Sequence, residues 1–342
     1  MCLLTRRVFS PQEAAGAPDA RDHQPGARGE GDGVQPALSV IIACRNAGAT
    51  LSAQLTALSN QVCDVPWDVI VCDNGSTDDT VAIAEEFRSR LPSLRVISAS
   101  ERAGAGYARN VGVAHTSAPM LAFCDADDEV APGWIAAMIA GLRRHQFIAG
   151  RFDAEALNPS SVLRSRPLQQ SDELQHSPFG PGLPHAGAGN LGIHRSVFLA
   201  VSGFDAEIGC LEDTDLCWRI QLSGVPLVFW PDAVLHVRLR SSLPGMWRQG
   251  RSYGAAAAML GHRYPRRPQI SIVRDDTHPA PARPSALDRL SAPVRGFGRL
   301  IGEQRSLGGF LWSLGWHLGH RRWQPGVATA PVPIEVPHRR AG

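Results

Sequence analysis

Lysine does not occur in this chain: all 34 basic residues are arginine, which reads as compositional bias rather than as guanidinium chemistry. With 32 acidic residues the net charge is only +2, which excludes bulk electrostatic binding to nucleic acid. Disulfide and zinc frameworks are missing too. The seven cysteines fall at 2, 44, 63, 72, 124, 210 and 217, an odd count with no CxxC and no Cys/His pair at zinc spacing. Cys44, Cys72 and Cys124 each end an apolar run, so small buried fillers in a reducing compartment are expected. No uninterrupted apolar stretch reaches the ~18 residues of a membrane span. Arg6 and Arg7 are not followed by a signal-peptide core. The expectation is a cytoplasmic protein, soluble or peripheral on the inner face of a membrane.

What is present is an uneven charge and a repeating pattern. From Arg238 onward 17 Arg face 5 acids, so the last 105 residues carry +12 and the first 237 carry −10. The acidic part suits a cation and the basic part an anionic partner. Residues 1–36 are rich in Gly, Pro, Ala and charge without periodicity, and read as a disordered tail. Strand and helix patterns then alternate. Leu38–Ala43, Trp67–Cys72, Leu94–Ile97 and Met120–Cys124 read as strands. Between them lie helices with Leu51, Leu55 and Leu58, then Val81, Ala84 and Phe87 behind a Thr77 cap, then residues from about 104 to 115. The alternation predicts an α/β fold, a mostly parallel Rossmann-like sheet flanked by helices, with ligands at the carboxyl ends of its strands.

Those ends converge in chemistry. The first closes in Cys44, Arg45 and Asn46, the second in Asp73, Asn74 and Gly75, the fourth in Asp125, Asp127 and Asp128. Three carboxylates at an apolar strand tip repel one another, and a divalent cation shared with substrate phosphates would relieve them. An acidic turn that caps a helix at Pro132 through Asp128 and Glu129 accounts for them as well. Asp73 can accept hydrogen bonds from a base or ribose, or form an Asx turn into Ser76 and Thr77. Arg102 and Arg109 are either surface residues or neutralise phosphate charge. Farther on, Leu211, Leu216 and Ile220 mark a helix whose first turn holds Glu212, Asp213 and Asp215, acids that complement the helix dipole or supply a base. GAGNLG at 187–192 matches a dinucleotide fingerprint, with Glu212 lying 20 residues beyond it. Pro178–Ala186 before it is loop rather than strand, and that reading is set aside.

Taken together, SVIIACRN, IVCDNGSTDDT, RAGAGYARNVGV, LAFCDADDE, GNLGIHRSVFLAVSGFD and LEDTDLCWRI resemble the family 2 glycosyltransferases of the GT-A fold, over residues 37 to about 240. The resemblance implies a GT-A-like domain at 37–240 that transfers a sugar, with inversion, from a nucleotide-diphosphate sugar to an acceptor hydroxyl. By motif, Asp73 resembles the residue that holds the nucleoside, with Asn46, Arg102, Arg109 and Asp125 also on the donor side. Asp125 and Asp127 match the Asp-x-Asp pair, Asp127 being the one expected on a Mg²⁺ or Mn²⁺ ion. Asp213 matches the catalytic base. His236, in VLHVR, sits where some members place a further metal ligand, and Gly189, Asn190 and Glu212 fall on the acceptor side. One departure bears on base recognition: Ala43, Cys44 and Arg45 precede Asn46 where the family usually has Pro-Thr-Tyr-Asn. The chemistry is coherent, because a cation stabilises charge on the leaving diphosphate while a carboxylate on the opposite face takes the acceptor proton.

Residues 153–186, with five prolines, read as an acceptor-facing loop region. Residues 241–342 form a basic, helical C-terminal extension: a helix with Trp247 and Tyr253, a Pro/Arg linker at 265–285, and a segment at 287–323. In that last segment Phe297, Leu300, Ile301, Leu307, Phe310, Leu311, Trp312, Leu314, Trp316 and Leu318 alternate with Arg295, Arg299, Arg305, Arg321 and Arg322. Its apolar face either packs on the domain or lies on an anionic leaflet, which would suit a lipid-linked acceptor as well as a glycan. Two other classes stay open, a non-catalytic nucleotide-sugar-binding protein and a nucleotidyltransferase on a related sheet. The latter usually carries a Gly-rich loop with Arg or Lys after the first strand, which Cys44–Thr50 lacks.

Overall fold

Residues 35–91, 93–163, 168–264 and 307–324 are described by the structure, a computed structural model. The expected linker at 265–285, residues 287–306 of the C-terminal segment and all but the last two residues of the expected tail lie outside the described residues. Eight strands form one sheet: β1 (Leu38–Cys44), β2 (Trp67–Asp73), β3 (Leu94–Ser98), β4 (Met120–Asp125), β5 (Glu129–Val130), β6 (Phe147–Asp153), β7 (Asn190–His194) and β8 (Val228–His236). Their order is β3-β2-β1-β4-β7-β6-β8-β5. The β3-β2-β1-β4 half is parallel, β7 runs antiparallel between β4 and β6, and β6 pairs parallel with β8. The helices are α1 (Leu51–Ser59), α2 (Thr80–Glu86), α3 (Ala105–Ala114), α4 (Trp134–Leu142), α5 (Ser160–Leu163), α6 (Arg195–Ala200), α7 (Glu212–Leu222), α8 (Leu243–Arg263) and α9 (Leu307–Arg322).

Alternation of side chains along each strand divides the core between the two faces of the sheet. Leu38, Val40 and Ile42 of β1 join Val69 and Val71 of β2 against α1, α2 and α4. Ile41 points the other way and joins Ile70, Cys72 and Phe123 against α3, α6 and α7. Cys44, Cys72 and Cys124 are buried thiols, and burial pushes each pKa up, so they act as protonated fillers.

Local geometry corrects two expectations and agrees with setting a third reading aside. Thr77 does not cap α2: that helix starts at Thr80 behind Asp79, while the Thr77 amide donates to Asn46 Oδ1 at 2.8 Å. Asp128 and Glu129 do not start the next helix, because Glu129 and Val130 pair with β8 and α4 begins only after Gly133 at φ 81°. The Gly187–Gly189 loop runs into β7 rather than into a helix, which removes the dinucleotide reading.

Asp215, in the first turn of α7, is 0% exposed and is spent on buried partners rather than left to the helix end alone. Its Oδ1 accepts from the Tyr264 hydroxyl at 2.7 Å and from Arg263 at 3.0 Å, and its Oδ2 accepts from Arg219 at 2.7 Å. Arg263 also reaches Asp205 at 2.7 Å. Around this hub Trp218 of α7, Leu260 and Tyr264 at the end of α8, and Phe179 and Leu183 of the preceding loop make a small separate core. The end of α8 thus holds the back of α7. Removing one partner of a buried ion pair strands the others, at a typical cost of ~3 kcal/mol or more. A lost hydroxyl bond costs about 1 kcal/mol. Urea unfolding should therefore show Asp215→Ala losing about 3 kcal/mol and Tyr264→Phe about 1 kcal/mol. A negligible loss in Asp215→Ala would contradict the hub.

Candidate active site

Because β1 lies between β2 and β4, three strand ends stand in a row. Cys44 is in register with Asp73 and Ala43 with Asp125, which separates the two aspartates by two strand spacings, roughly 10 Å. Both Asp73 oxygens accept from the Ser76 amide, at 3.1 and 3.3 Å. Asn46, at φ 53°, donates its own amide to Ser76 Oγ at 2.9 Å. Asn74 is buried; its amide group donates to the Ala99 and Arg102 carbonyls at 2.5 and 2.7 Å, and its oxygen accepts from Gly104 N at 2.8 Å. The loops after β1, β2 and β3 are laced into one rim, and Asp73 stands on it.

At the end of β4, Asp125, Asp127 and Asp128 each offer an oxygen within 4.8 Å of the others. Asp128 is buried, and burial together with Asp125 and Asp127 raises its pKa well above the carboxylate range. Asp127 keeps an exposed side chain, yet partial desolvation in the site and the Asp125 charge raise its pKa as well. Three hard oxygen donors this close together fit a divalent cation. The turn is fixed from two sides. Gln54 of α1 donates to Asp125 O and accepts from Val130 N, both at 3.0 Å. Arg238 donates its amide to Asp128 Oδ1 at 2.8 Å and its Nε to Asp127 O at 3.0 Å. A side chain on Gly189 would start 2.8 Å from Asp125 Oδ2, so the absence of one keeps the space over the acids open.

Arg109 joins this cluster to α7. Its guanidinium, 4% exposed, donates to Asp125 Oδ1 at 2.6 Å and to Glu212 Oε1 at 2.9 Å. Burial opposes the charge, but Asp125 and Glu212 outweigh it and hold the pKa above the usual arginine value. Next to Glu212, Asp213 accepts from Thr214 N at 2.7 Å and from Ala188 N at 3.1 Å. Burial first, and the Glu212 charge second, raise its pKa to about 7. A carboxylate poised there takes a proton near neutrality. His185 stands behind it, its Nδ1 3.3 Å from Thr214 Oγ1 and its Nε2 2.8 Å from Ser177 Oγ; burial lowers its pKa to about 4 and keeps the ring neutral.

Asn46, Asp73, Arg109, Asp125, Asp127, Gly189, Glu212 and Asp213 thus lie along the carboxyl ends of β1, β2 and β4 and the start of α7. Three others are placed differently. Arg102 pairs with Glu207 at 2.5 Å on the surface. Asn190 is fully buried, its oxygen accepting from Trp134 Nε1 at 2.8 Å and its amide group donating to the Arg151 and Ala233 carbonyls at 3.0 and 2.9 Å; it is a core staple with no donor left for an acceptor. His236 is outside the three-aspartate group, its Nδ1 2.9 Å from Asp153 Oδ2, an arrangement that orients an imidazole for ligation through Nε2. Gln54 and His185 were not singled out from sequence and carry no local signal, whereas Asp128 and Asn74 were named there only through the acidic run and the second strand end.

The sequence profile described as Glycosyl transferase family 2 matches residues 39–201. The pre-mycofactocin glycosyltransferase of Mycobacterium tuberculosis is 27% identical over 235 residues, which cover 67% of this chain and 48% of that protein. The hyaluronan synthase of Pasteurella multocida is 26% identical over 193 residues, 56% of this chain and 19% of that protein. This chain spans about half the length of the first of these relatives, and less of the second. Among solved structures, the mannosyltransferase PcManGT of Pyrobaculum calidifontis, in complex with GDP-Man and Mn²⁺, aligns with a TM-score of 0.55 at 16% identity, over 84% of this chain and 88% of that one. The profile match makes residues 39–201 similar to glycosyl transferase family 2, and the sheet order together with the structural likeness shows a GT-A-like α/β fold.

Proposed function

We propose that the chain transfers a sugar from a nucleotide-diphosphate sugar to an acceptor hydroxyl with inversion, in a divalent-metal-dependent reaction. The observation that carries this reading is the Arg109 bridge, which holds an oxygen-only acidic cluster on β4 next to a helix whose Asp213 has a pKa near neutrality. Asp73 and the laced rim receive the nucleoside. Asp127, with Asp125 and Asp128, would hold Mg²⁺ or Mn²⁺, with His236 as a further candidate. A bound cation there would neutralise charge on the leaving diphosphate. Asp213 accepts the proton of the acceptor hydroxyl as its oxygen attacks the anomeric carbon on the face opposite the nucleoside diphosphate. Arg109 contacts no reacting atom in this scheme; it is a positioning residue that keeps Asp125 and Glu212 in register. The acceptor is a glycan or a lipid-linked molecule, received beside residues 153–186, with the chain working in the cytoplasm or at the inner face of a membrane.

The metal is tested by stability. A ligand that binds only the folded chain at ~100 times its Kd adds about 2.7 kcal/mol, and Mn²⁺ or Mg²⁺ with UDP or GDP should raise Tm accordingly. Asp127→Ala should abolish that rise together with donor hydrolysis. Full turnover in excess chelator would refute the metal.

The base is tested by pH. Because its pKa is raised to about 7, Asp213 is protonated and inactive below that pH, so kcat/KM should fall as pH drops through 7 and level off above it. The limb belongs to the Glu212–Asp213 pair. Asp213→Asn should lose about 10²- to 10⁴-fold in kcat, with the pH limb gone and donor affinity retained. A mutant that keeps the limb would rule Asp213 out.

A further inference from the structure

The pairing of α8 with α9 uses glycine on both helices. Gly250 and Gly254 of α8 lie against the Trp312 and Trp316 carbonyls, and Gly315 and Gly319 of α9 against the Trp247 and Arg251 carbonyls. Backbone therefore packs on backbone, with Trp312 edge-to-face on Tyr253 beside the contact, while three large apolar side chains of α9 stay in the open. Leu307, Phe310 and Leu314 are 62%, 51% and 40% exposed, at steps of three and four residues that put them on one helical face. Leu243, at the start of α8, is 40% exposed.

Within the two described helices the charge has one sign. Neither α8 nor α9 contains an acidic residue. Arg248, Arg251, Arg321 and Arg322 are exposed, and none forms an ion pair with a described residue. Some surface arginines elsewhere have partners, Arg95 with Asp68, Arg102 with Glu207 and Arg238 with Glu129. A second copy of the chain would bring the same cations face to face in a two-fold contact, which opposes self-association here. Apolar side chains on one helical face, unpaired arginines beside them and no acids are what a helix lying in an anionic bilayer interface requires. No described helix is long and apolar enough to cross a membrane.

We propose that the α8–α9 hairpin docks the chain on an anionic membrane leaflet. Leu307, Phe310 and Leu314 enter the boundary between headgroups and acyl chains, and Arg248, Arg251, Arg321 and Arg322 lie against lipid phosphates. This deepens the glycosyl-transfer reading by favouring a lipid-linked acceptor, and rests on that reading only for the acceptor.

The full chain should co-sediment with vesicles of phosphatidylglycerol and phosphatidylcholine at least ~10-fold more strongly than with pure phosphatidylcholine. Arg321→Glu with Arg322→Glu should remove that preference. Leu307→Ser, Phe310→Ser and Leu314→Ser combined should reduce binding to both vesicle types. Both variants should keep the wild-type Tm and the wild-type rate of donor hydrolysis in solution, since none of the five residues lies in the site. Absence of vesicle binding, equal binding to the two compositions, binding unchanged in both variants, or a concentration-dependent dimer that the Ser variant dissolves would each overturn the proposal. Vesicle binding in a chain that hydrolyses no donor would uphold the docking surface and refute the enzymatic reading alone.

Discussion

A single buried guanidinium balances the charge of this site. The end of β4 and the start of α7 bring Asp125, Asp127, Asp128, Glu212 and Asp213 together, and among the described residues only Arg109 reaches both groups from inside the fold. Without it, Asp125 and Glu212 would stand as unpaired carboxylates on either side of a desolvated seam. With it, the acids divide. Asp125 and Glu212 pair with the guanidinium, while Asp127, Asp128 and Asp213 stand outside that pairing and have raised pKa values. Carboxylates paired with the guanidinium and carboxylates outside the pairing are thereby set side by side.

That separation requires α7 to stay in place. Its first turn is held from the front by Arg109 and from behind by the Asp215 hub, where Arg263 and Tyr264 arrive from the far end of α8. The loop with His185 closes the third side, through Thr214 and the Trp218 ring. Asp213 accepts from two backbone amides and so has a defined orientation with lone pairs to spare. The geometry suits a base that must meet a hydroxyl of unknown approach without moving itself.

Much of the scaffold was legible in the residues, and the reason is periodicity. Runs such as Leu38–Ala43 and Trp67–Cys72 alternate with helices at intervals that leave few topologies, and the parallel order β3-β2-β1-β4 follows. Side-chain destinations were less legible. An acid in the first turn of a helix looks the same in sequence whether it faces water or a buried arginine 48 residues away, and Asp215 faces the arginine. Arg109 reads equally well as a phosphate ligand until Asp125 and Glu212 are seen to occupy its guanidinium. Asn190 carries no mark that Trp134 and two carbonyls consume its amide. Gln54 and Asn74 act on partners tens of residues distant, for which no local pattern exists. The glycines of α8 and α9 read as interruptions of an amphipathic helix, although they are the packing surface.

The antiparallel strand β7 has a consequence for the order in which the chain assembles. The strands β1, β2 and β3 find their neighbours over 29 and 25 residues, Leu38 to Trp67 and Val69 to Leu94. The bond from Arg109 to Glu212 closes a loop of 103 residues. Loop-closure entropy and contact order both favour the short pairings first, so the nucleotide-side half forms around β1 and the half built on β7, β6 and β8 docks later. Arg109 belongs to the early half and Glu212 to the late one. The ion pair at the centre of the site therefore forms last, when the two halves meet, and an incompletely folded chain holds the acids of β4 without those of α7.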